Sequence, residues 1–259
     1  MVERDDIHAR ALGDGVDAFF TGARLDGIAD ANLAHHVPHS PDRLAAARDR
    51  VAELTGTDID TWHLMRQVHG ARVGVIDDRV PPGAELRDVD VLVTALLDRP
   101  LVVLAADCLP IIAAGRQAVA VAHAGWRGLV AGVSDALVDA LCGAGERIED
   151  VAVVFGPTVG PCCYAVGEEV RDAVTALEPD AASRTRDGRD SLDLRVAVRS
   201  RLRARGVADV TDVPGDIDGG IVCTACDPRF FSHRRDPRAG RHAGIVVRRG
   251  DASKVGGAA

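Results

Sequence analysis

The chain has 259 residues, 47% hydrophobic and 27% charged, enough to bury a sizeable core and, by length, between one and two domains. Of its 31 basic side chains all but Lys254 are Arg, and Lys254 sits in a Gly/Ala-rich end, so Schiff-base, pyridoxal-phosphate and Walker-type lysine chemistry have no residue to work with. A net charge of −8 and only five Phe, two Trp and one Tyr argue against a nucleic-acid surface or a base-stacking groove, though not against a local Arg pocket for phosphate.

Residues 1–10 are charged and lack an apolar signal core. Residues 13–18, Gly-Asp-Gly-Val-Asp-Ala, match a dinucleotide-binding glycine pattern on paper, but no predicted strand precedes them and no long helix follows. Ser40-Pro41-Asp42 is a strong helix start, and Leu44, Ala47, Val51 and Leu54 then mark one apolar face. Strands are predicted at 73–76, 89–94, 101–105, 119–122, 151–155 and 244–247. A helix is predicted from Arg127 to about Cys142, with Leu129, Val133, Leu137 and Leu141 in line and Gly143 as its stop. Two more helices are predicted at 167–177 and 192–205, with an exposed loop over 181–190. The run 101–114 is too short to span a membrane and carries Asp107, so no membrane partner is expected. Six Cys without an export signal read as reduced thiols in the cytoplasm. Neither a linker nor a repeat divides the chain. We expect one domain over 1–249, a flexible tail at 250–259, and a mixed α/β or α+β layered fold rather than a barrel.

The chemistry-bearing residues gather in a few segments. There is no His-Glu-x-x-His, no Gly-x-Ser-x-Gly, and no His-x-Glu partner for Cys223-Thr-Ala-Cys226. Cys162, Cys163, Cys223 and Cys226 could form a four-thiolate zinc site, although an adjacent Cys pair is unusual spacing for one. Gln67-Val68-His69-Gly70, Ala106-Asp107-Cys108-Leu109-Pro110 and His123-Ala124-Gly125-Trp126-Arg127-Gly128 place His69, Cys108 and His123 where strands end, which is where α/β folds assemble sites. Singly, each is more often structural. Together, two imidazoles and a thiolate can bind zinc and leave a fourth position open. The helix start at Arg127 could receive an anion, or its glycines could simply permit a tight turn. Asp107 could orient a metal ligand, shuttle a proton or cap a strand end. In Phe230-Phe231-Ser232-His233-Arg234-Arg235-Asp236, aromatics beside Arg could stack a flat ring and hold phosphate; the bland alternative is a salt-bridged loop capped by core Phe.

These segments, together with Gly156-Pro157 and the stretch from Cys163-Tyr164-Ala165 to Glu169-Val170, occur in an order that resembles the laccase-domain family over about residues 16 to 248. That family was first described as multicopper polyphenol oxidases and later as zinc-binding purine nucleoside phosphorylases. The resemblance implies a layered sandwich of two mixed sheets with helices outside, and one zinc per chain held by His69, Cys108 and His123. It further implies phosphorolysis of adenosine, inosine, guanosine and methylthioadenosine, with adenosine deamination beside it. The sequence departs from the family pattern at Thr21–Gly27, at Ala34 after Asn32-Leu33, at Ala165 in place of Glu and at His233 in place of Tyr.

The leading expectation is therefore a zinc-dependent nucleoside phosphorylase acting on purine nucleosides and phosphate. His69, Cys108 and His123 would form its metal and catalytic centre, and Arg127, Phe231, Arg234 and Arg235 would contact substrate. A multicopper centre is not expected, because no His-x-His pair occurs among the nine His. The runner-up is a metal-free hydrolase with Cys108 as nucleophile and His123 as base. A third reading is a non-catalytic zinc- or nucleoside-binding protein.

Overall fold

The computed structural model describes residues 7–213 and 222–250; residues 251–259 of the expected tail lie outside them. The first half of the chain forms β1 (Ile7–Ala11), β2 (Val16–Thr21), α1 (Pro41–Thr55), β3 (Leu64–Arg66), β4 (Val73–Ile76), β5 (Glu85–Arg87), β6 (Val91–Thr94), β7 (Leu101–Ala105), β8 (Leu109–Ala114) and β9 (Val119–Ala124). Then follow α2 (Trp126–Val130), α3 (Val133–Gly143), β10 (Ala152–Phe155), α4 (Glu168–Thr175), β11 (Ala182–Arg184), β12 (Asp190–Leu192), α5 (Leu194–Ala204), β13 (Asp209–Asp212) and β14 (His242–Arg248).

Two sheets dominate. One is four-stranded, in the order β1-β2-β14-β7, and antiparallel throughout. The other is six-stranded and mixed, in the order β13-β10-β8-β9-β6-β4, with parallel pairs only at its two edges. The strands are apolar on both faces because both faces are covered. Along β7, Leu101 and Val103 face the six-stranded sheet and join Ile112, Val121 and Val154 in the central core. Their neighbours Val102 and Leu104 face outward and pack with Ala47 and Val51 of α1 and with Trp62. On the far side, Val91, Ile111, Ala120 and Val153 meet Leu129, Leu137, Val198 and Leu202 of the helices. Period-two alternation in the strands thus produces four layers: helix, sheet, sheet, helix. The expected layered, mixed fold is the one observed. Among the described residues no helix is long and apolar enough to cross a membrane.

Several boundaries differ from expectation for local reasons. The helix predicted from Arg127 divides into α2 and α3, because Gly132 turns left-handed (φ 88°) and restarts it. Residues 109–114 form a central strand that Pro110 conceals; Pro110 sits near its start, beyond the end of β10, where a missing N–H is tolerated. Residues 182–192 are not a plain loop but carry the β11–β12 hairpin. The glycine pattern at 13–18 does follow a strand, yet it turns into β2 rather than a helix, so it is a hairpin and not a dinucleotide loop.

Candidate metal centre

Strand register assembles the centre at one end of the six-stranded sheet. In the antiparallel pair β8–β9, Pro110 lies opposite His123 and Leu109 opposite Ala124, which sets Cys108 beside Gly125. In β6–β9, Val91 lies opposite Ala122, and the His123 N–H donates to the Asp90 carbonyl at 2.8 Å. Asp90, His123 and Cys108 are therefore neighbours across three strands, although far apart in sequence.

His69 arrives from the loop before β4. Its φ of 61° is left-handed, which costs a non-glycine residue energy. Buried Asp90 compensates by gripping this turn: its carboxylate accepts from the backbone N–H groups of Val68 (3.2 Å), His69 (2.9 Å) and Gly70 (2.7 Å). Gln67 fixes the other end, its amide donating to the Leu104 carbonyl at 2.7 Å and accepting from the Leu104 N–H at 2.9 Å. Asp90 also accepts from His123 Nδ1 at 2.9 Å, which leaves Nε2 free to face Cys108 and His69. This is the carboxylate–histidine arrangement that orients metal-ligating imidazoles.

The electrostatics follow from the geometry. Burial alone would push the Cys108 thiol up, but the His123 charge and hydrogen bonds from His123 and His69 bring it down to about 6. Burial alone would lower His123, but the Cys108 thiolate and the Asp90 hydrogen bond raise it to about 9. Burial would likewise raise Asp90, and the His123 and Gly70 hydrogen bonds hold it below the ordinary carboxyl value. Without metal, the pair is a thiolate–imidazolium couple.

The donor set suits a metal ion. One ligand atom each from His69, Cys108 and His123 lies within 4.8 Å of the others, with His69 exposed, Cys108 partly so and His123 buried. The absence of a side chain at Gly125 makes room for them, since a Cβ there would stand 3.0 Å from Cys108 Sγ and 3.1 Å from His69 Cδ2. Three protein ligands with an open, solvent-facing side is the pattern of catalytic rather than structural zinc.

The expected substrate residues fall into two pairs. Arg127 is exposed and stacks on Trp126, 4.3 Å from the ring centroid. Arg234 lies over Tyr164 at 4.9 Å, and both Arg127 and Arg234 act electrostatically on Tyr164, as does Cys108. Phe231 is mostly buried and packs with Ala23 and Ala106. The Arg235 guanidinium is occupied by the carbonyls of Thr224, Ala225, Asp227 and Phe230. Asp107 orients no metal ligand; it accepts from Thr224 Oγ1 and the Arg234 N–H, both at 2.6 Å, and so clips the C-terminal segment beside Cys108. Sequence reasoning missed Asp90 and the pairing roles of Gln67 and Tyr164.

Despite the adjacent pair, Cys162, Cys163, Cys223 and Cys226 also converge, their sulfurs all within 4.8 Å. Two of them, Cys162 and Cys163, line a cleft of about 490 Å³ together with Arg186, Asp187, Arg189, Arg234 and Arg235.

Several known proteins are similar to this chain over most of its length. A purine nucleoside phosphorylase of Streptomyces griseus is 38% identical over 246 residues, 92% of this chain and 97% of that one. An adenosine deaminase from an unknown prokaryotic organism is 34% identical over 252 residues, 91% and 94% of the two chains. The hypothetical protein YfiH of Bacillus licheniformis superposes with a TM-score of 0.84 at 26% identity, covering 95% of this chain and 98% of its own. The family described as multi-copper polyphenol oxidoreductase laccase matches residues 20–249, and the chain belongs to it.

Proposed function

We propose that this chain, working as one domain over residues 1–249, is a zinc-dependent purine nucleoside phosphorylase. It would convert adenosine, inosine, guanosine or methylthioadenosine and phosphate into free base and pentose 1-phosphate, with adenosine deamination as a side activity. The observation that carries this reading is the open His69–Cys108–His123 group, backed by Asp90, in a chain whose relatives bear those two enzyme names. Zinc held there supplies a Lewis acid with an open position. Asp90 holds His123 in the tautomer that presents Nε2. Breaking an N-glycosidic bond develops positive character on the sugar, so phosphate must be held against the anomeric carbon. Arg234 lies over Tyr164, Arg127 and Cys108 act on the same ring electrostatically, and the two Arg are the groups we assign to that anion. Phe231 and Arg235, from the same segment as Arg234, are the further substrate contacts we assign. Six unpaired cysteines suit a cytoplasmic enzyme.

The test is base release from a nucleoside panel by the zinc-loaded protein, with and without phosphate. Phosphate-dependent release that disappears in Cys108→Ala and His123→Ala is expected; phosphate-independent turnover of every nucleoside overturns the reading. A second reading has a specific observation behind it. The Cys108 thiol, held at about 6 beside His123, is also the arrangement of a thiol hydrolase. Full activity in the chelated protein, abolished by alkylation of Cys108, would select it.

A further inference from the structure

We propose that Cys162, Cys163, Cys223 and Cys226 form a second, closed metal site that binds zinc through four thiolates and fixes the turn carrying Arg234 and Arg235. Four thiolates around one zinc, with Zn–S of about 2.3 Å, stand about 3.8 Å apart. Here Cys163 and Cys226 are 3.2 Å apart, Cys162 and Cys226 3.7 Å, and no pair exceeds 4.8 Å. A disulfide would engage two of these sulfurs and give no reason for all four to converge. The backbone is shaped for the purpose. Cys226 and Asp227 N–H both return to the Cys223 carbonyl, closing a tight turn, and the Cys163 N–H returns to Gly160. Gly160 presses on the group so closely that a Cβ would meet Cys223 Cβ at 3.1 Å and Cys162 Sγ at 3.4 Å. Four thiolates and one zinc leave two negative charges, and Arg186 stands within electrostatic reach of all four sulfurs. Arg235 ties the carbonyls of this turn, and Thr224 between the cysteines bonds Asp107 beside Cys108. The site would therefore be structural, holding Arg234 against the first centre.

Metal analysis of protein loaded with zinc under reductant and then dialysed tests this. About two zinc per chain are expected, one per ligand set. Cys226→Ser and Cys163→Ser should each lose about one, and Cys108→Ala should lose the other. With cobalt in place of zinc, the thiolate charge-transfer bands should keep most of their intensity in Cys108→Ala and fall in Cys226→Ser to about the level of the single Cys108 thiolate. In case the variants fold poorly, zinc should shield Cys162, Cys163 and Cys226 of the unmodified chain from alkylation, with chelation exposing them. Stoichiometry of about one, lost in Cys108→Ala and kept in Cys226→Ser, overturns the second site while leaving the first. Zinc lost in Cys226→Ser but wholly retained in Cys108→Ala does the reverse.

Discussion

Asp90→Asn isolates the residue that holds the centre together without touching metal. The substitution preserves volume but replaces one carboxylate oxygen with an amide N–H₂. Oδ1 accepts from the His69 N–H and His123 Nδ1, and Oδ2 from the N–H groups of Val68 and Gly70. Whichever way the amide turns, two N–H donors face a third donor instead of an acceptor. Hydrogen bonds to a charged group contribute about 1.5–3 kcal/mol each, and breaking a buried charged network costs about 3–5 kcal/mol. For a chain of this size that lowers the melting temperature of the metal-free protein by about 6–20 °C. Loss of the partner that orients His123 should weaken zinc binding about 10–100-fold. Calorimetry of the chelated protein reads the first effect, and competition against a chromophoric chelator the second. Melting within about 1 °C of the parent, with zinc affinity within about twofold, would refute the role assigned to Asp90.

Gly125→Ala adds a methyl group 3.0 Å from Cys108 Sγ at an ordinary φ of −87°, so crowding rather than backbone strain acts; zinc affinity should fall about tenfold or more with an unchanged circular dichroism spectrum. In chelated protein, alkylation of Cys108, followed by mass spectrometry of its peptide, should be nearly flat above about pH 7 and fall about tenfold per unit below about pH 6, since only the thiolate reacts. Zinc should suppress it, and a rate still climbing through pH 8 to 9 would mean an ordinary thiol. In Cys226→Ser, where only the first centre should take metal, zinc uptake near pH 8 should release about one proton from His123, which is protonated below about 9 and must bind metal as the neutral imidazole; titration calorimetry in buffers of differing ionisation enthalpy measures it. Arg235→Ala should lower the melting temperature, because four carbonyls lose their donor, whereas Arg234→Lys should raise the KM for phosphate with little change in melting.

The layers were legible because their signal is local. Leu44, Ala47 and Val51 repeat at helical spacing, and α1 buries all three. The strands at 101–105 and 119–122 are unbroken apolar runs, as strands covered on both faces must be. What stayed hidden depends on partners distant in sequence. Pro110 argues locally against a strand, and only the way β10 ends at Phe155 shows why it is tolerated there. The polar stretch 181–190 reads as loop, yet Asp190 pairs with Arg184 in a hairpin.

The same distinction decides the site. His69, Cys108 and His123 could be proposed from the sequence because imidazole and thiolate advertise their chemistry, and strand ends are where such groups collect. Asp90 advertises nothing. It is one of 39 acidic residues, and its value lies in a register that sets it beside His123 and under the backbone of residues 68–70. Phe231 and Arg235 carry partners that their residue types do not announce: Phe231 packs against Ala106, and Arg235, while lining the cleft, also donates to four backbone carbonyls. The four cysteines follow the rule too: spacing along the chain discouraged a common site because 162 and 163 are adjacent. The Thr158–Cys223 bridge, which joins the two segments side by side, supplies what spacing could not. Side-chain chemistry thus nominates residues for a site, and strand pairing decides which of them can act together.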